Sequence, residues 1–306
     1  MIVVSKRPCR ISLLGGGSDL EWFVKKHGFG MSIGFSVPIF SRVAIGFRSN
    51  NKRGLLNYSS REEYLEIESI SHPIIRACLT KFSIKKPIEM ASFGDALMGG
   101  GLASSSSFTV AMIKAIYNLK GEKIRNSEAA HQACEIEIRN LNSPIGRQDQ
   151  YLCALGGVNY LEFQKENKIK IKNYPNISKA ISKYTEKLFL VNSYISRSTN
   201  KQLLNIKNKD ESFIQIENIL DIASKFLSDS KELNDIDQIL HNLELSMSAS
   251  WEIKKKMRGV MNDNILKIEE SLNLANFKTV KILGAGGGGY ILIKYDGKNL
   301  EKDKKK

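Results

Sequence analysis

The sequence predicts an α+β fold in two domains, and three observations support this. Strand-like and helix-like segments mix without a regular β–α repeat, which favours α+β over a doubly wound sheet. The 306 residues are enough for two domains, and their 42% hydrophobic and 25% charged content is typical of a globular protein. A Lys/Asn-rich stretch, 164–176, reads as a hairpin near the domain boundary. We therefore predict domains at 1–180 and 181–306.

Strands are predicted where apolar residues alternate with polar ones or form short runs. In residues 38–47, for example, every second side chain from Ile39 to Phe47 shares one face, which is typical of a half-buried strand. The same reasoning gives strands at 10–14, 38–47, 65–69, 87–93, 158–163, 188–192, 280–283 and 290–294.

Helices are predicted where apolar residues recur every three or four positions. This pattern gives helices at 20–26, 73–80, 108–119, 127–141, 213–226, 233–243 and 250–261. Ser127 is expected to cap the helix that begins there, because its hydroxyl can accept a first-turn N–H. The turn 142–146 contains Pro144 and Gly146 and ends this helix.

The net charge of +14 points to anionic partners, such as phosphorylated metabolites. Part of it lies in a lysine-rich tail, so we expect no nucleic-acid partner from charge alone. Four widely spaced cysteines, at 9, 78, 134 and 153, form no zinc pattern and suggest reduced, buried thiols. No apolar run approaches the ~18 residues of a membrane span, and no signal-peptide core is visible. We expect a cytoplasmic protein without a membrane partner.

The stretch Met98 to Ser107 carries the strongest functional signal. Three glycines and four serines stand directly before a helix-like segment. Glycines let the backbone approach a ligand closely, and a helix N-terminus offers unpaired N–H groups to an anion. No lysine follows the glycines, so this is not the common P-loop. A plain Gly/Ser linker is the alternative, although linkers do not usually open into a periodic helix.

A second glycine-rich loop, Gly284 to Gly289, matches the dinucleotide pattern G-x-G-x-x-G. The context argues against that function, because a strand-like run follows where a helix is required. A glycine loop between two strands brings the backbone close either to a ligand or to another loop. A tight hairpin explains the glycines equally well.

Two carboxylates are candidates for chemistry. Asp149 lies in the polar turn Gly146 to Gln150, where it is either a base for a substrate hydroxyl, kept ionised by Arg147, or a helix cap. Glu137 lies on the preceding helix. It is either a solvated surface residue or, if a phosphate loop lies opposite, a Mg²⁺ ligand.

Taken together, three motifs resemble those of the GHMP kinases, in the same order and over nearly the whole chain. They are Pro8 to Asp19, ending in Gly-Gly-Gly-Ser-Asp; Gly101 to Ser107; and Gly284 to Gly289. The resemblance implies an N-terminal α/β domain like domain 2 of ribosomal protein S5 and a ferredoxin-like C-terminal domain. Ala103 departs from the usual glycine. We expect its backbone not to need a positive φ.

Within the family, the chain is most similar to bacterial kinases of D-glycero-D-manno-heptose 7-phosphate. The resemblance implies transfer of the ATP γ-phosphoryl group to the anomeric hydroxyl, giving a 1,7-bisphosphate for surface polysaccharide synthesis. Asp149 and Arg10 match catalytic positions, with the arginine near the aspartate. Ser105, or its neighbour Ser104, would hold Mg²⁺ with Glu137, so that Ser104 and Ser105 face Glu137 across the ion. ATP would be bound by Gly99, Gly100, Gly101, Leu102, Ala103, Ser104, Ser105 and Ser106.

The same resemblance places the sugar against the first and third motifs. The residues expected to contact it are Gly16, Gly17, Ser18, Asp19, Gly286 and Gly287. Arg197, Lys254, Lys255 and Lys281 are candidates for a phosphate on the sugar, each weighed against a solvated surface charge. Two other functions remain open: a different GHMP kinase, for L-fucose or galactose, and a basic RNA-binding module with the same N-terminal fold. The oligomeric state, monomer or homodimer, is also open.

Overall fold

The computed structural model describes residues 1–195, 199–207 and 209–295. Its strands are β1 (Ile2–Leu14), β2 (Phe29–Phe47), β3 (Gly54–Asn57), β4 (Arg61–Tyr64), β5 (Ile88–Gly94), β6 (Val158–Gln164), β7 (Ile169–Lys172), β8 (Leu188–Asn192), β9 (Phe277–Ile282) and β10 (Tyr290–Tyr295). Its α-helices are α1 (Glu21–His27), α2 (Pro73–Lys81), α3 (Ser104–Leu119), α4 (Asn126–Cys134), α5 (Gln148–Leu155), α6 (Pro175–Thr185), α7 (Thr199–Ile206), α8 (Asp210–Ser230), α9 (Ile236–Lys256) and α10 (Asp263–Leu274).

The chain divides into two compact units, each assembled from several stretches. The first unit contains Met1–Arg10, Ser36–Met98 and Ala103–Gly157, and the second contains Ile11–Phe35, Gly99–Leu102 and Val158–Lys306. Because strands β1 and β2 contribute to both, the units do not meet at one position in the sequence. They are clusters of contacts, and the domain limits at 180 and 181 stay a prediction.

The first unit is a sheet covered by helices. Its strand order is β4-β3-β5-β2, in which β3 pairs with β5 in parallel and the other pairs are antiparallel. Register is fixed by pairs such as Ile45 with Met90, both fully buried. The apolar face of α3, including Val110 and Ile113, is also fully buried. Helices α4 and α5 pack on α3, which brings the start of α3 and the start of α5 into one layer.

The second unit contains the β6 and β7 strands and part of β2 from the same seven-stranded sheet, and a separate three-stranded sheet. In one, the N-terminal half of β2 pairs antiparallel with β6, and β6 pairs with β7. In the other, the order is β8-β10-β9, all antiparallel. Helices α8 and α9 pack together, and α9 and α10 contact β9. The mixture of helices and sheets confirms the predicted α+β class.

Several boundaries differ from the sequence prediction. The predicted strand at 65–69 is wrong: Ile67–Ser69 is a 3₁₀ turn, and the strands are β3 and β4 just before it. Ser127 lies inside α4 rather than capping it, because the helix begins one residue earlier after Arg125. The two helices predicted between 233 and 261 are one continuous helix, α9. The hairpin predicted at 164–176 is confirmed as β6–β7.

The cysteines behave as the sequence predicts. All four are buried, free thiols. Burial raises the pKa of the Cys9 thiol to about 11. This thiol is therefore neutral near pH 7 and packs as a small apolar side chain. In the described part of the chain, no helix is long and apolar enough to cross a membrane.

A close backbone contact fixes the turn after β1. A Cβ atom at Gly15 would lie 2.0 Å from the carbonyl oxygen of Met31, and one at Gly30 would lie 2.0 Å from that of Ser18. The hydroxyl of Ser18 lies within hydrogen-bond distance of two carbonyls, Gly15 O at 2.7 Å and Met31 O at 2.8 Å. Only glycine fits at 15 and 30, because the turn lies directly on β2.

Ala103 is the residue at which the backbone prediction is wrong. It precedes α3 as the N-cap with φ 60° and ψ 37°, in the left-handed region. Its carbonyl oxygen accepts a hydrogen bond from the N–H of Ser107 at 2.9 Å and lies 3.8 Å from the Cys153 Sγ. These contacts fix the peptide orientation. Alanine therefore occupies a conformation that costs an L-residue about 1–2 kcal/mol.

We expect Gly15→Ala to destabilise the protein far more than Gly121→Ala. The two glycines have nearly equal φ, +76° and +77°, but a Cβ at Gly121 would meet nothing within 4 Å. The backbone penalty alone, about 1–2 kcal/mol, applies to both. At Gly15 the steric clash adds to this penalty, so the free energy of unfolding should fall by about 3 kcal/mol or more. Urea unfolding of both variants checks this, and equal losses would contradict it.

We expect Ala103→Gly to leave the free energy of unfolding unchanged or to raise it by about 1 kcal/mol. Glycine relieves the left-handed strain but also gains freedom in the unfolded chain, and the two effects partly cancel. The control is Ala111→Gly, the same change at a buried position inside α3. It should cost about 1 kcal/mol or more. Thermal unfolding of both variants gives the comparison, and equal destabilisation would refute the strain at 103.

Candidate active site

The glycine/serine loop turns directly into α3. Gly99 and Gly101 have φ angles of +74° and +86°, which the lack of a Cβ permits. Helix α3 begins at Ser104, and none of the described side chains caps its first turn. The first N–H groups of a helix have no intrahelical acceptor, and the helix dipole favours an anion there. This end of α3 therefore has the backbone chemistry of a phosphate site.

The carboxylate of Glu137 is buried beside the start of α3, with only 2% of the residue exposed. Ser105 donates to its Oε1 and Ser106 to its Oε2, both at 2.8 Å. Gln150 donates from Nε2 to Oε2 at 2.7 Å. Burial raises the pKa of Glu137, and these three hydrogen bonds oppose that shift. Glu137 is thus not the solvated surface residue of the alternative interpretation.

The backbone around Glu137 is irregular. Glu135–Asn140 form a π-helical segment that continues α4, and the N–H of Leu141 bonds to the carbonyl of Ile136 at 3.0 Å, five residues back. Such single-turn insertions are rare and occur frequently at functional sites. The sequence pattern predicted one uninterrupted helix here, since apolar spacing does not reveal one extra residue in a turn.

An ion pair joins β1 to α5. The Arg10 Nε and Nη2 atoms approach the same oxygen of Asp149, Oδ1, at 2.8 and 2.7 Å. The Arg10 side chain is 5% exposed and that of Asp149 is 23% exposed. Two donors on one oxygen fix the orientation of the carboxylate. Of the two arginines considered as partners of Asp149, Arg147 from its proximity in the sequence and Arg10 from the family resemblance, Arg10 makes this ion pair.

Adjacent residues of α5 reach both carboxylate centres. Asp149 bonds to Arg10, and Gln150 bonds to Glu137. Gln150 is fully buried, and among the described residues its Oε1 has no hydrogen-bond partner. The sequence analysis included Gln150 in a motif but gave it no role. In the sequence, only its position beside Asp149 pointed to a functional role for Gln150. Its contact with Glu137 depends on how α5 packs in the folded protein.

The serines of the loop make different contacts from those expected. Ser105 and Ser106 contact Glu137, whereas the carbonyl of Ser104 lies 3.4 Å from the hydroxyl of Ser41. We expected Ser104 and Ser105 to face Glu137, because spacing alone does not set the rotation of a helix. Leu102 is 1% exposed and packs inside the structure.

The last residues of the first motif, Gly15 to Asp19, lie in the second unit. Asp19 is 3% exposed, and its Oδ1 accepts from the N–H of Gly17 at 3.3 Å. The Ser18 hydroxyl contacts backbone carbonyls, so in this structure it holds the turn in place. At Gly16 a Cβ would make only an ordinary contact with Ser12. The contacts of these residues with a sugar stay predictions.

The candidate phosphate-binding lysines have backbone partners. Lys254 Nζ donates to the carbonyls of Ile282 and Gly284 at 2.7 and 2.8 Å, and Lys281 Nζ donates to that of Leu13 at 2.9 Å. These contacts hold the ends of the third motif and of β1. Lys255 pairs with a neighbouring glutamate, Glu252, at 2.6 Å. Arg197 lies outside the described residues.

The third glycine motif contacts other loops. Cβ atoms at Gly286 and Gly287 would lie 2.8 Å from Val260 Cγ2 and 2.7 Å from the carbonyl oxygen of Gly259. The N–H of Tyr290 donates to the carbonyl of Gly100 at 2.8 Å. Of the two alternatives raised by the sequence, close approach to another loop is the one that the structure shows. The third motif thereby lies against Gly100, in the segment 99–102 of the second unit.

No group of three or more His, Cys, Asp or Glu side chains suited to a metal occurs among the described residues. One carboxylate and two hydroxyls, those of Glu137, Ser105 and Ser106, are nevertheless oxygen groups of a kind that suits Mg²⁺. In proteins, Mg²⁺ is usually held by one or two carboxylates together with substrate phosphates. The residues present therefore fit this ion.

Known proteins share sequence with this chain. Residues 70–157 match the GHMP kinases N terminal domain. The D-glycero-alpha-D-manno-heptose 7-phosphate kinase of Campylobacter jejuni is 25% identical over 311 aligned residues, which cover 95% of this chain and 89% of that protein.

Solved structures show that the fold is shared more widely. The D-glycero-D-manno-heptose 1-phosphate kinase of Bacteriodes thetaiotaomicron superposes with a TM-score of 0.74 at 19% identity, covering 99% of this chain and 91% of that one. The Methanococcus jannaschii mevalonate kinase gives 0.68 at 17% identity, covering 100% and 92%. Sugar and mevalonate kinases both match, so the fold alone does not select the acceptor. Residues 70–157 are thus a GHMP kinase N-terminal domain, and the protein is a phosphotransferase with an alcohol group as acceptor.

Proposed function

We propose that this protein is an ATP-dependent kinase that phosphorylates the anomeric hydroxyl of D-glycero-D-manno-heptose 7-phosphate. The proposal rests on one observation: two neighbouring residues of α5 each contact a different charged side chain of the candidate site. Asp149 is fixed by Arg10, and Gln150 is fixed on Glu137. One centre suits an acceptor hydroxyl and the other suits a metal–phosphate group. The match to a heptose 7-phosphate kinase over most of the chain supports the choice of sugar.

Asp149 is the proposed catalytic residue on the acceptor side. Arg10 holds Oδ1 through two nitrogens, which leaves Oδ2 to orient the sugar hydroxyl and accept its proton. The guanidinium also supplies a fixed positive charge close to the reacting oxygens. Phosphoryl transfer depends mainly on such positioning and charge neutralisation.

The start of α3 is the proposed phosphate site. Its uncapped N–H groups and the glycines at 99 and 101 offer backbone donors to phosphate oxygens. Ser105, the exposed serine of this turn, and Glu137 would hold Mg²⁺. When bound, Mg²⁺ neutralises charge on the phosphate oxygens of ATP. A cation at this position would also compensate the buried carboxylate of Glu137, whose described contacts are with neutral donors.

The second unit supplies the proposed sugar contacts. Asp19 is held by the backbone of its own turn, so its carboxylate is ready to accept hydrogen bonds from sugar hydroxyls. The geometry gives Ser18, Lys254 and Lys281 a positioning role, because each contacts backbone carbonyls. They would keep the first and third motifs in place for the substrate.

A coupled ADP-release assay over free and phosphorylated sugars tests the proposed substrate. We expect turnover with heptose 7-phosphate and little with galactose or L-fucose. The assay includes heptose 1-phosphate, because the two heptose relatives are named for phosphates at different ends of the sugar. Activity on free hexoses alone would refute the proposal and favour another sugar kinase of the family.

We expect Asp149→Asn to lower kcat by on the order of 10² or more, while ATP binding is retained. Asparagine keeps an oxygen for Arg10, so the buried guanidinium retains a partner and the variant should fold. The control is Asp237→Asn, the same change in an exposed ion pair with Lys183. Steady-state kinetics and ATP titration check the result. Near-normal turnover in the Asp149 variant would remove this residue from the mechanism.

We expect Glu137→Gln to raise the Mg²⁺ concentration required for half-maximal activity by about tenfold or more, because the carboxylate ligand is lost. Glu135→Gln is the matched control. It removes a carboxylate from the same π-helical segment, but Glu135 pairs with Lys81 at 2.9 Å. A Mg²⁺ titration of kinase activity compares them. The same Mg²⁺ requirement in the Glu137 variant and the wild type would rule out ligation.

A further inference from the structure

A cavity of about 450 Å³ lies on the surface of the second unit. Its lining consists of two aromatic rings and three lysines, which are Trp22, Lys25, Lys26, Lys209 and Phe213. The first three are on α1, and the last two are at the start of α8. The sequence analysis gave none of these residues a role. Lysines around aromatic rings suit a ligand that has both an anionic group and a carbon frame.

The aromatic part of this cavity is held by contacts between α1 and α8. Trp22 and Phe213 have ring centroids 6.5 Å apart. The Lys26 Nζ lies 4.3 Å from the Phe213 ring centroid, a cation–π distance. Phe213 also packs on the fully buried Phe23 at 5.0 Å. The rings therefore form a fixed wall on which the carbon atoms of a sugar can lie.

The charge of the cavity is positive. Lys25 pairs with Glu21 at 2.7 Å and Lys26 with Asp210 at 3.1 Å, but both pairs are exposed, with 72% and 57% of the lysine side chains accessible. Exposed pairs of this kind are weak, so both lysines can turn to a doubly charged phosphate. Lys209 is a third cation, immediately before the N-terminus of α8, where the helix dipole adds positive potential.

The position of the cavity relates it to the sugar-binding motif. Helix α1 begins two residues after Asp19, so its first turn continues the turn of the first motif. On the other side, a Cβ at Gly17 would lie 3.3 Å from Ile216 Cγ1. Ile216 is three residues from Phe213 and therefore on the same face of α8. The cavity thus adjoins the turn that contains Asp19, within one unit.

We propose that Lys25, Lys26 and Lys209 bind the phosphate at the far end of the sugar substrate, with Trp22 and Phe213 against its carbon chain. This assignment rests on the proposed kinase function and names the group that recognises the phosphorylated acceptor. It takes the place of Lys254 and Lys281, whose ammonium groups are directed at backbone carbonyls.

The test is the KM for heptose 7-phosphate in the double variant Lys25→Gln/Lys209→Gln. We expect KM to rise about tenfold or more, because two charge-assisted contacts to phosphate are lost. The kcat, the KM for ATP and the KM for unphosphorylated heptose should stay within twofold of the wild type. Inorganic phosphate, used as a competitor, should inhibit the double variant less than the wild type.

The matched control is Lys183→Gln, which removes a lysine of similar exposure that pairs with Asp237 elsewhere in the second unit. Its KM values should not change. A wild type that phosphorylates no sugar phosphate would overturn the proposed function itself. A wild type active on heptose 7-phosphate, with an unchanged KM in a folded double variant, would overturn the cavity assignment alone. Thermal unfolding of each variant shows whether it is folded.

Discussion

A buried carboxylate, Glu137, is the group on which the candidate site of the first unit depends. It accepts hydrogen bonds from two serines of α3 and from Gln150 of α5, so one side chain connects three segments. The next residue of α5, Asp149, is fixed by Arg10 on β1. The polar contacts therefore continue from β1 to the start of α3.

The second unit depends on a different constraint, the close approach of backbone to backbone. Glycines at 15 and 30 allow the first motif to lie on β2, and glycines from 286 to 289 allow the third motif to lie against neighbouring loops. The N–H of Tyr290 then holds the carbonyl of Gly100. These glycines are thus required by packing between loops, and through it they position the segment that leads to α3.

The sequence was most reliable where a short pattern has one physical meaning. Glycines and serines before an apolar helix predicted the loop and α3, and alternation predicted most of the strands. It was least reliable where a residue's contacts or backbone conformation depend on a segment that is distant in the sequence. Lys281 read as a surface cation, yet its acceptor is a carbonyl 268 residues earlier, at Leu13. Ala103 read as an ordinary alanine, yet contacts with α3 and α5 hold it at φ 60°.

By itself, the sequence determined the α+β class, the order of three glycine-containing motifs, and the identity of Arg10, Glu137 and Asp149 as candidates through a family resemblance. Only the tertiary structure decided which groups meet. It placed Ser106 and Gln150 beside Glu137, and it placed two rings and three lysines around one cavity. The physical reason is that side-chain types follow from the sequence, whereas helix rotation and the packing of distant segments set their partners.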